Sequence, residues 1–146
     1  MNFEKMRLIR EDNEMTQNDI ANILNVDRTT YTGWETGKDT IPIRKLSKFC
    51  DYYNVSIDYI MNFTDIVNYD IINKDIDLNI IGNNLKDFRL KRGLKQKDIF
   101  KLLNTTSSTY SAYETGKVLM QTTFIYQIAK EYNLSVDQLL GKTKKL

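Results

Sequence analysis

Residues 17–38 read QNDIANILNVDRTTYTGWETGK, and residues 96–117 read QKDIFKLLNTTSSTYSAYETGK. A shift of 79 residues superposes the two stretches, and the ungapped match extends over residues 3–64 and 82–143. Of its 62 residue pairs 17 are identical, whereas such a composition would give about four by chance. Because the period is long and occurs only twice, the sequence predicts two tandem domains and not a solenoid.

Both copies carry the apolar spacing of short helices. Met6 and Ile9 are three residues apart and predict a first helix over about residues 3–12, and Leu85 with Phe88 predicts its counterpart. No stretch of alternating apolar and polar residues rivals these signals, so each copy is predicted to be all-α. The other four helices of the first copy are expected to begin at Thr16, at Asp27, at Thr40 with Pro42, and at Ser56.

The repeat divides the chain into a first copy (residues 1–64), a connector (residues 65–80) and a second copy (residues 81–146). The connector contains several isoleucines and Tyr69, and it is not a flexible Gly/Ser chain. We therefore expect it to pack, either as a short strand or as a brace between the copies. Fully extended, its 16 residues would span about 53 Å.

Charge is distributed unevenly along the chain, although the formal net charge is only +2. The first copy carries 8 basic and 10 acidic side chains, the connector 1 and 4, and the second copy 12 and 5. The net charges are −2, −3 and +7, so the second copy is expected to attract a polyanion. Lys142, Lys144 and Lys145 are expected to form a solvated tail.

Composition excludes most kinds of catalytic site. The chain has no histidine and one cysteine, Cys50, which rules out a Ser-His-Asp or Cys-His nucleophile, an imidazole zinc site, a cysteine-ligated cluster and an internal disulfide. It has no glycine-rich phosphate loop. We expect no enzymatic activity, cofactor, metal or small-molecule substrate. Without a signal peptide or an apolar run of membrane-spanning length, a cytoplasmic location is expected.

Residues 17–37 have the order Gln-x-x-Ile-Ala, then Leu-Asn-Val, then Tyr-x-x-Trp-Glu-x-Gly, which resembles the helix-turn-helix of the lambda-repressor/Cro (XRE-like) class. Residues 96–116 largely repeat it, and residues 56–61 and 135–140 are similar to the fifth-helix signature of that family. The resemblance implies two tandem five-helix, lambda-repressor-like DNA-binding domains. It also implies a sequence-specific transcription regulator, with a repressor as the expected kind and double-stranded DNA as the partner.

The resemblance also assigns roles to side chains. Gln17 and Gln96, at the start of the second helices, would bind backbone phosphate. Lys38 and Lys117, just past the third helices, would do the same. The outward positions of the third helices, which would read or flank bases, are Arg28, Thr29, Thr30, Thr32 and Gly33 in the first copy, and Ser107, Ser108, Thr109, Ser111 and Ala112 in the second.

Other assignments concern the inside of each copy. Tyr31 and Trp34 are spaced to face inward, so we expect them in the core and not stacked on bases. Phe100 replaces the small Ala21 where the second and third helices cross, which should widen or tilt the second motif. The family implies two internal ion pairs, Arg10 with Glu35 and Arg89 with Glu114.

The reading positions differ between the copies. Arg28 is the one long bidentate donor among them and favours guanine, whereas Gly33 cannot read a base edge. The serines of the second copy can pair with any base. We therefore hypothesise that the first copy reads sequence and that the basic second copy supplies much of the phosphate attraction. The alternative is that both copies bind alike and that the charge difference is surface drift.

Two modes of engagement and an alternative function remain open. The copies of one chain can act as an intramolecular pseudo-dimer, or two chains can form a homodimer, which the habit of the family favours slightly. The expected pairing surface is the connector together with Tyr59, Ile60, Met61 and Phe63. The alternative function is a protein-interaction module, antirepressor or antitoxin-like, in which one domain does not contact DNA.

Overall fold

The computed structural model describes residues 1–144. Over that range the chain forms ten helices and no strand, which confirms the predicted all-α fold. Two compact units are present, Met1–Tyr69 and Asp70–Leu146, and we call them the first and the second module. Each module contains five helices.

The first module consists of α1 (Glu4–Asp12), α2 (Gln17–Ile23), α3 (Arg28–Thr36), α4 (Ile43–Tyr53) and α5 (Ile57–Ile60). Thr16, Asp27 and Ser56 each accept a hydrogen bond from a backbone N–H of the following turn, as N-cap residues do. Gly37 ends α3 in the left-handed conformation, with φ 82°, which a residue without a Cβ adopts at little cost. Local rules therefore explain where α2, α3 and α5 begin and where α3 ends.

The second module consists of α6 (Leu78–Lys91), α7 (Gln96–Leu102), α8 (Ser107–Glu114), α9 (Thr122–Tyr132) and α10 (Val136–Leu139). Its first helix begins inside the predicted connector, because the Asp77 carboxylate accepts hydrogen bonds from the backbone N–H groups of Asn79 and Ile80. Helix α6 therefore has 14 residues where α1 has 9. The additional turn passes so close to the end of α8 that a Cβ on Gly82 would lie 2.5 Å from the Glu114 carbonyl oxygen.

Both modules bury an equivalent aromatic pair. Tyr31 and Trp34 meet edge to face with their ring centroids 6.1 Å apart. Tyr110 and Tyr113 do so at 6.2 Å. All four rings are buried, which confirms the inward orientation expected for Tyr31 and Trp34, and Cys50 is buried as well. Burial raises the pKa of the Tyr31 and Tyr110 hydroxyls above their usual range.

The predicted connector packs, but no strand forms in its residues. The Ser56 N–H donates to the Val67 carbonyl oxygen over 2.6 Å, and the Tyr69 hydroxyl donates to a carboxylate of α5 over 3.1 Å. In the second module, the Ile72 N–H donates over 2.9 Å to a carbonyl oxygen that follows α10. Only residues 70 and 71 separate these anchored segments, so the connector is not a 16-residue free tether.

The basic tail differs from the expected solvated segment. Lys142 is 1% exposed, so its expected exposure is wrong. The chain turns back after α10 through Gly141, which has φ 75°, and the Lys142 carbonyl oxygen accepts the bond from Ile72. Lys144 is exposed, and Lys145 lies outside the described residues.

Part of the expected pairing surface is also buried. Ile60 is 0% exposed and Met61 is 2% exposed, because both side chains belong to the core of the first module. They are therefore wrong as pairing residues. Tyr59 and Phe63 are half-buried, and the Lys5 ammonium lies 3.6 Å from the centre of the Tyr59 ring.

Candidate nucleic-acid interface

A buried ion pair fixes the inner side of α3 in the first module. The Arg10 guanidinium on α1 donates two hydrogen bonds to the Glu35 carboxylate on α3, over 2.7 and 2.9 Å. Burial by itself would raise the pKa of Glu35, but hydrogen bonds from Arg10 and Gln17 outweigh it, so the pKa lies below its usual value. The carboxylate is therefore charged at neutral pH, and the ion pair implied by the family resemblance is confirmed.

Gln17, the first residue of α2, extends this pair into a chain of hydrogen bonds. Its Nε2 donates to Glu35 over 3.1 Å, and its Oε1 accepts from the Thr32 hydroxyl over 2.8 Å. One network thus joins α1, α2 and α3 and sets the orientation of α3. Gln17 is half-buried at the predicted place, and its contact with phosphate stays a prediction.

The second module repeats the pair but not the whole network. Arg89 donates to Glu114 over 2.8 and 3.0 Å, which confirms the second implied ion pair. Gln96 Nε2 also donates to Glu114, over 3.2 Å. Ser111 stands at the position of Thr32, yet within residues 1–144 no hydrogen bond joins it to Gln96. The amide oxygen of Gln96 is therefore not held by α8.

The outer side of α3 is exposed over its first turn. Arg28, Thr29 and Thr30 are exposed, as the sequence predicts. Thr32 is half-buried by its bond to the glutamine of α2, and Lys38 is exposed just past the helix. The exposed surface of α3 is therefore short and polar, and Arg28 is its one long cationic side chain.

Gly33 is buried, so its expected outward exposure is wrong. It lies on the same side of α3 as the exposed Thr29 and Thr36, but the turn after the helix folds over it. The Asp39 N–H donates to the Gly33 carbonyl oxygen over 3.1 Å. Asp39 Oδ2 lies 3.3 Å from the point that a Cβ on Gly33 would occupy, so a carboxylate covers the place of the missing side chain.

The outer side of α8 carries small hydroxyl groups that partly bond to one another. The hydroxyl of the N-cap residue Thr106 donates to Thr109 Oγ1 over 2.9 Å and lies 3.3 Å from Ser108 Oγ. No long side chain projects from this turn. Ser107, Ser108 and Lys117 are exposed, and Thr109, Ser111 and Ala112 are half-buried.

Comparison with known families agrees with this geometry. The helix-turn-helix family matches residues 6–60 and again residues 85–139, which together make up most of the chain. The chain belongs to the lambda-repressor-like (XRE) helix-turn-helix family. Each matched stretch runs from the first helix of a module to its fifth, so the duplication seen in the sequence is a duplication of the helix-turn-helix domain.

One similar protein is YobD of Bacillus subtilis (strain 168), an uncharacterized HTH-type transcriptional regulator. It is 28% identical over 88 residues, which cover 60% of this chain and 70% of YobD. No solved structure matches this helix-turn-helix chain significantly. Within residues 1–144, no helix is both long and apolar enough to cross a membrane, and no group of His, Cys, Asp or Glu side chains is placed to hold a metal ion.

The two helix-turn-helix modules differ in charge beside the glutamine that begins the second helix of each module. Lys95 and Lys97 flank Gln96 and are exposed, where Thr16 and Asn18 flank Gln17 in the first module. Neither lysine is among the residues predicted from the sequence to contact DNA. The signal was available in the repeat alignment, which exchanges a neutral for a basic residue on both sides of a predicted phosphate contact.

The caps of the third helices differ in charge as well. Asp27 caps α3, and the backbone N–H of Thr30 holds the pKa of its carboxyl below the usual value, so this cap is negative. The neutral Thr106 caps α8. A carboxylate at a helix N-terminus partly neutralises the positive end of the helix dipole, so α8 presents the more positive end to an anion.

Proposed function

We propose that this protein is a cytoplasmic, sequence-specific DNA-binding transcription regulator, and specifically a repressor, whose helices α3 and α8 enter major grooves. One observation carries the proposal: in both modules an Arg–Glu pair, buried in the first and partly buried in the second, fixes the inner side of the third helix and leaves the first two residues of that helix exposed. A fixed helix with one free side fits the major groove, which admits an α-helix. The partner is double-stranded DNA, and no cofactor or small-molecule substrate is required.

The first module is the one that reads sequence in this proposal. Arg28 is exposed at the start of α3, and its planar guanidinium can donate to both O6 and N7 of guanine. Thr29 and Thr30 lie beside it and offer hydroxyls to neighbouring bases or phosphates. The hydrogen bond between Thr32 and Gln17 holds α3 in one orientation, which base reading requires.

The second module supplies much of the phosphate attraction in this proposal. Residues 81–146 carry a net charge of +7, and Lys95, Lys97 and Lys117 are exposed near the ends of α7 and α8. Backbone contacts of this kind hold a protein on DNA without reading its sequence. The exposed Ser107 and Ser108 donate to or accept from any base, so they discriminate weakly.

Two assemblies would place a pair of recognition helices about one DNA turn apart, roughly 34 Å. One is an intramolecular pseudo-dimer of the two modules, whose tether raises the effective concentration of the second contact. The other is a homodimer of two chains, which we favour slightly. Light scattering of the free protein and of its DNA complex separates them, because the homodimer doubles the mass of protein on one site.

Selection of bound sequences from a random DNA pool tests the proposed function. The full chain should enrich a motif that contains a guanine, and Arg28→Ala should lose the preference for that guanine, at a cost of about 1–3 kcal/mol there. Lys117→Ala, which removes the same charge, should retain the motif and bind all sequences more weakly. Equal effects of the two variants would contradict the assigned roles.

A second candidate function is supported by acidic residues around the first module's recognition helix. Asp27 and Asp39 are exposed there, and like charge opposes contact with phosphate. They favour a protein-interaction module, antirepressor or antitoxin-like, in which one domain, here the first, does not contact DNA. Salt titration distinguishes the two functions, because a DNA binder loses affinity with a log–log slope of about −0.9 per neutralised phosphate. Absence of DNA binding at low salt would favour the interaction module.

A further inference from the structure

We infer that Asp39 reads a cytosine in the major groove, in place of the side chain that Gly33 lacks. The inference rests on the proposed binding of α3 to DNA and adds a reading residue that lies outside the recognition helix. The carboxylate of Asp39 covers Gly33 on the outer side of α3.

A backbone hydrogen bond sets the position of Asp39. Its N–H donates to the Gly33 carbonyl oxygen over 3.1 Å, which closes the turn after α3 onto the helix. Its Oδ2 then lies 3.3 Å from the point where a Cβ of residue 33 would begin. Asp39 is exposed, so the carboxylate stands at the surface on the side of Thr29 and Thr36. If the outer side of α3 enters the major groove, the Asp39 carboxylate enters it as well.

The chemistry of a carboxylate selects the base. An ionised aspartate accepts hydrogen bonds and cannot donate them. In the major groove, guanine offers only acceptors, and the amino donors are cytosine N4 and adenine N6. The N7 acceptor beside adenine N6 repels a carboxylate, so acidic side chains pair with cytosine N4. The adjacent Lys38 is exposed and its Cβ also lies over Gly33, at 4.0 Å, so a cation for the nearby backbone accompanies the carboxylate. This lysine offsets the repulsion between Asp39 and phosphate.

The second module lacks this acceptor. Val118 stands at the position of Asp39 and is 52% exposed, and Ala112 stands at the position of Gly33. The turn is similar, since the Val118 N–H lies 3.4 Å from the Ala112 carbonyl oxygen. An apolar side chain can contact a thymine methyl group but cannot accept from cytosine. The cytosine preference is therefore expected in the half-site of the first module and not in that of the second.

Sequence selection with full-length variants tests the inference. The wild-type chain should enrich cytosine at one position of one half-site, and Asp39→Ala should lower that preference by about fivefold to tenfold while the other positions keep theirs. Asp65→Ala is the matched control, because it removes an equal charge from an exposed aspartate of the segment after α5. Both variants should bind DNA in general slightly more tightly, but Asp65→Ala should retain the wild-type motif.

A second variant tests the chemistry directly. Asp39→Asn replaces an acceptor with an amide that pairs bidentately with adenine N6 and N7, so the preferred base should change from cytosine to adenine. If Asp39→Ala enriches the wild-type motif unchanged, the inference is overturned and the proposed function stands. If the wild-type chain enriches no motif, the proposed function fails and the inference fails with it.

Discussion

In the first module, the recognition helix α3 is tied to α1 through Glu35 and to α2 through Thr32. In the second module, α8 keeps the bond to the first helix and the bond from Gln96 to Glu114. It lacks a hydroxyl bond to that glutamine, and an additional turn of α6 covers the C-terminal end of α8 at Gly82. The two modules thus share the ion pair, the glutamine bonded to it and the buried aromatic pair. They differ in the hydroxyl bond to that glutamine and in the length of the first helix. The comparison indicates that the Arg–Glu pair maintains the fold. The residues proposed to read bases and the charges near them differ between the modules.

Loss of the shared ion pair is expected to have the largest effect. Glu35→Ala would leave Arg10 buried without its partner and should destabilise the first module by about 3–5 kcal/mol. Glu114→Ala should do the same to the second module. Trp34, the one tryptophan of the chain, lies in the first module, so its fluorescence reports on that module while far-UV circular dichroism reports on both.

The expected pattern is a lower fluorescence midpoint in denaturant for Glu35→Ala and an unchanged one for Glu114→Ala. In both variants, part of the far-UV circular dichroism signal should be lost at a lower denaturant concentration than in the wild-type chain. A fluorescence midpoint that falls equally in both variants would contradict the view that each pair stabilises its own module.

Overpacking at Gly82 is expected to have the next largest effect and to act in the second module alone. A Cβ there would lie 2.5 Å from the Glu114 carbonyl oxygen and 2.8 Å from that of Tyr113, and backbone cannot move aside easily. Gly82→Ala should therefore destabilise the second module by about 2 kcal/mol, although alanine is the better helix former. Asn83→Ala, the exposed neighbour on α6, is the control and should change stability by less than about 0.5 kcal/mol. Equal stability of the two variants would show that α6 does not press on α8.

The smallest expected effect is on the hydrogen bonds of Gln17 and Gln96, which differ between the modules. Thr32→Ala removes the hydrogen bond to Gln17 and should cost about 1 kcal/mol, because a half-buried amide oxygen loses its partner. Ser111→Ala removes no bond to Gln96 and should leave the stability of the second module unchanged. Thermal unfolding of the full chain measures both, and equal losses would contradict the difference between the networks.

Local rules predicted much of the fold from the sequence. The caps Thr16, Asp27 and Ser56 were predictable because an N-cap needs only its own side chain and the next turn. The start of α6 was not predicted. Asp77, which caps α6, lies before the aligned residues 82–143, so the first copy offers no matching residue for comparison. Lys142 was misjudged because its burial depends on segments distant in sequence.

The candidate site was predictable to a similar extent. Spacing along α3 placed Arg28 and Thr29 on the outer side correctly, because helical periodicity is local. It failed at Gly33, which faces outward in helical phase but is covered by Asp39 from the following turn. Helix periodicity contains no information about a turn that folds back, so a carboxylate at the reading surface emerged only from the structure.

The division of labour between the modules is tested most directly by salt titration of DNA binding with two variants of the full chain. On the selected site and on a scrambled one, the double variant Lys95→Ala/Lys97→Ala should reduce the log–log salt slope by about 2 and weaken both sites alike. Arg28→Ala should leave the slope nearly unchanged and reduce the ratio between the two affinities. If the double variant instead abolishes the preference for the selected site while Arg28→Ala leaves it intact, the second module reads the sequence and the account is contradicted.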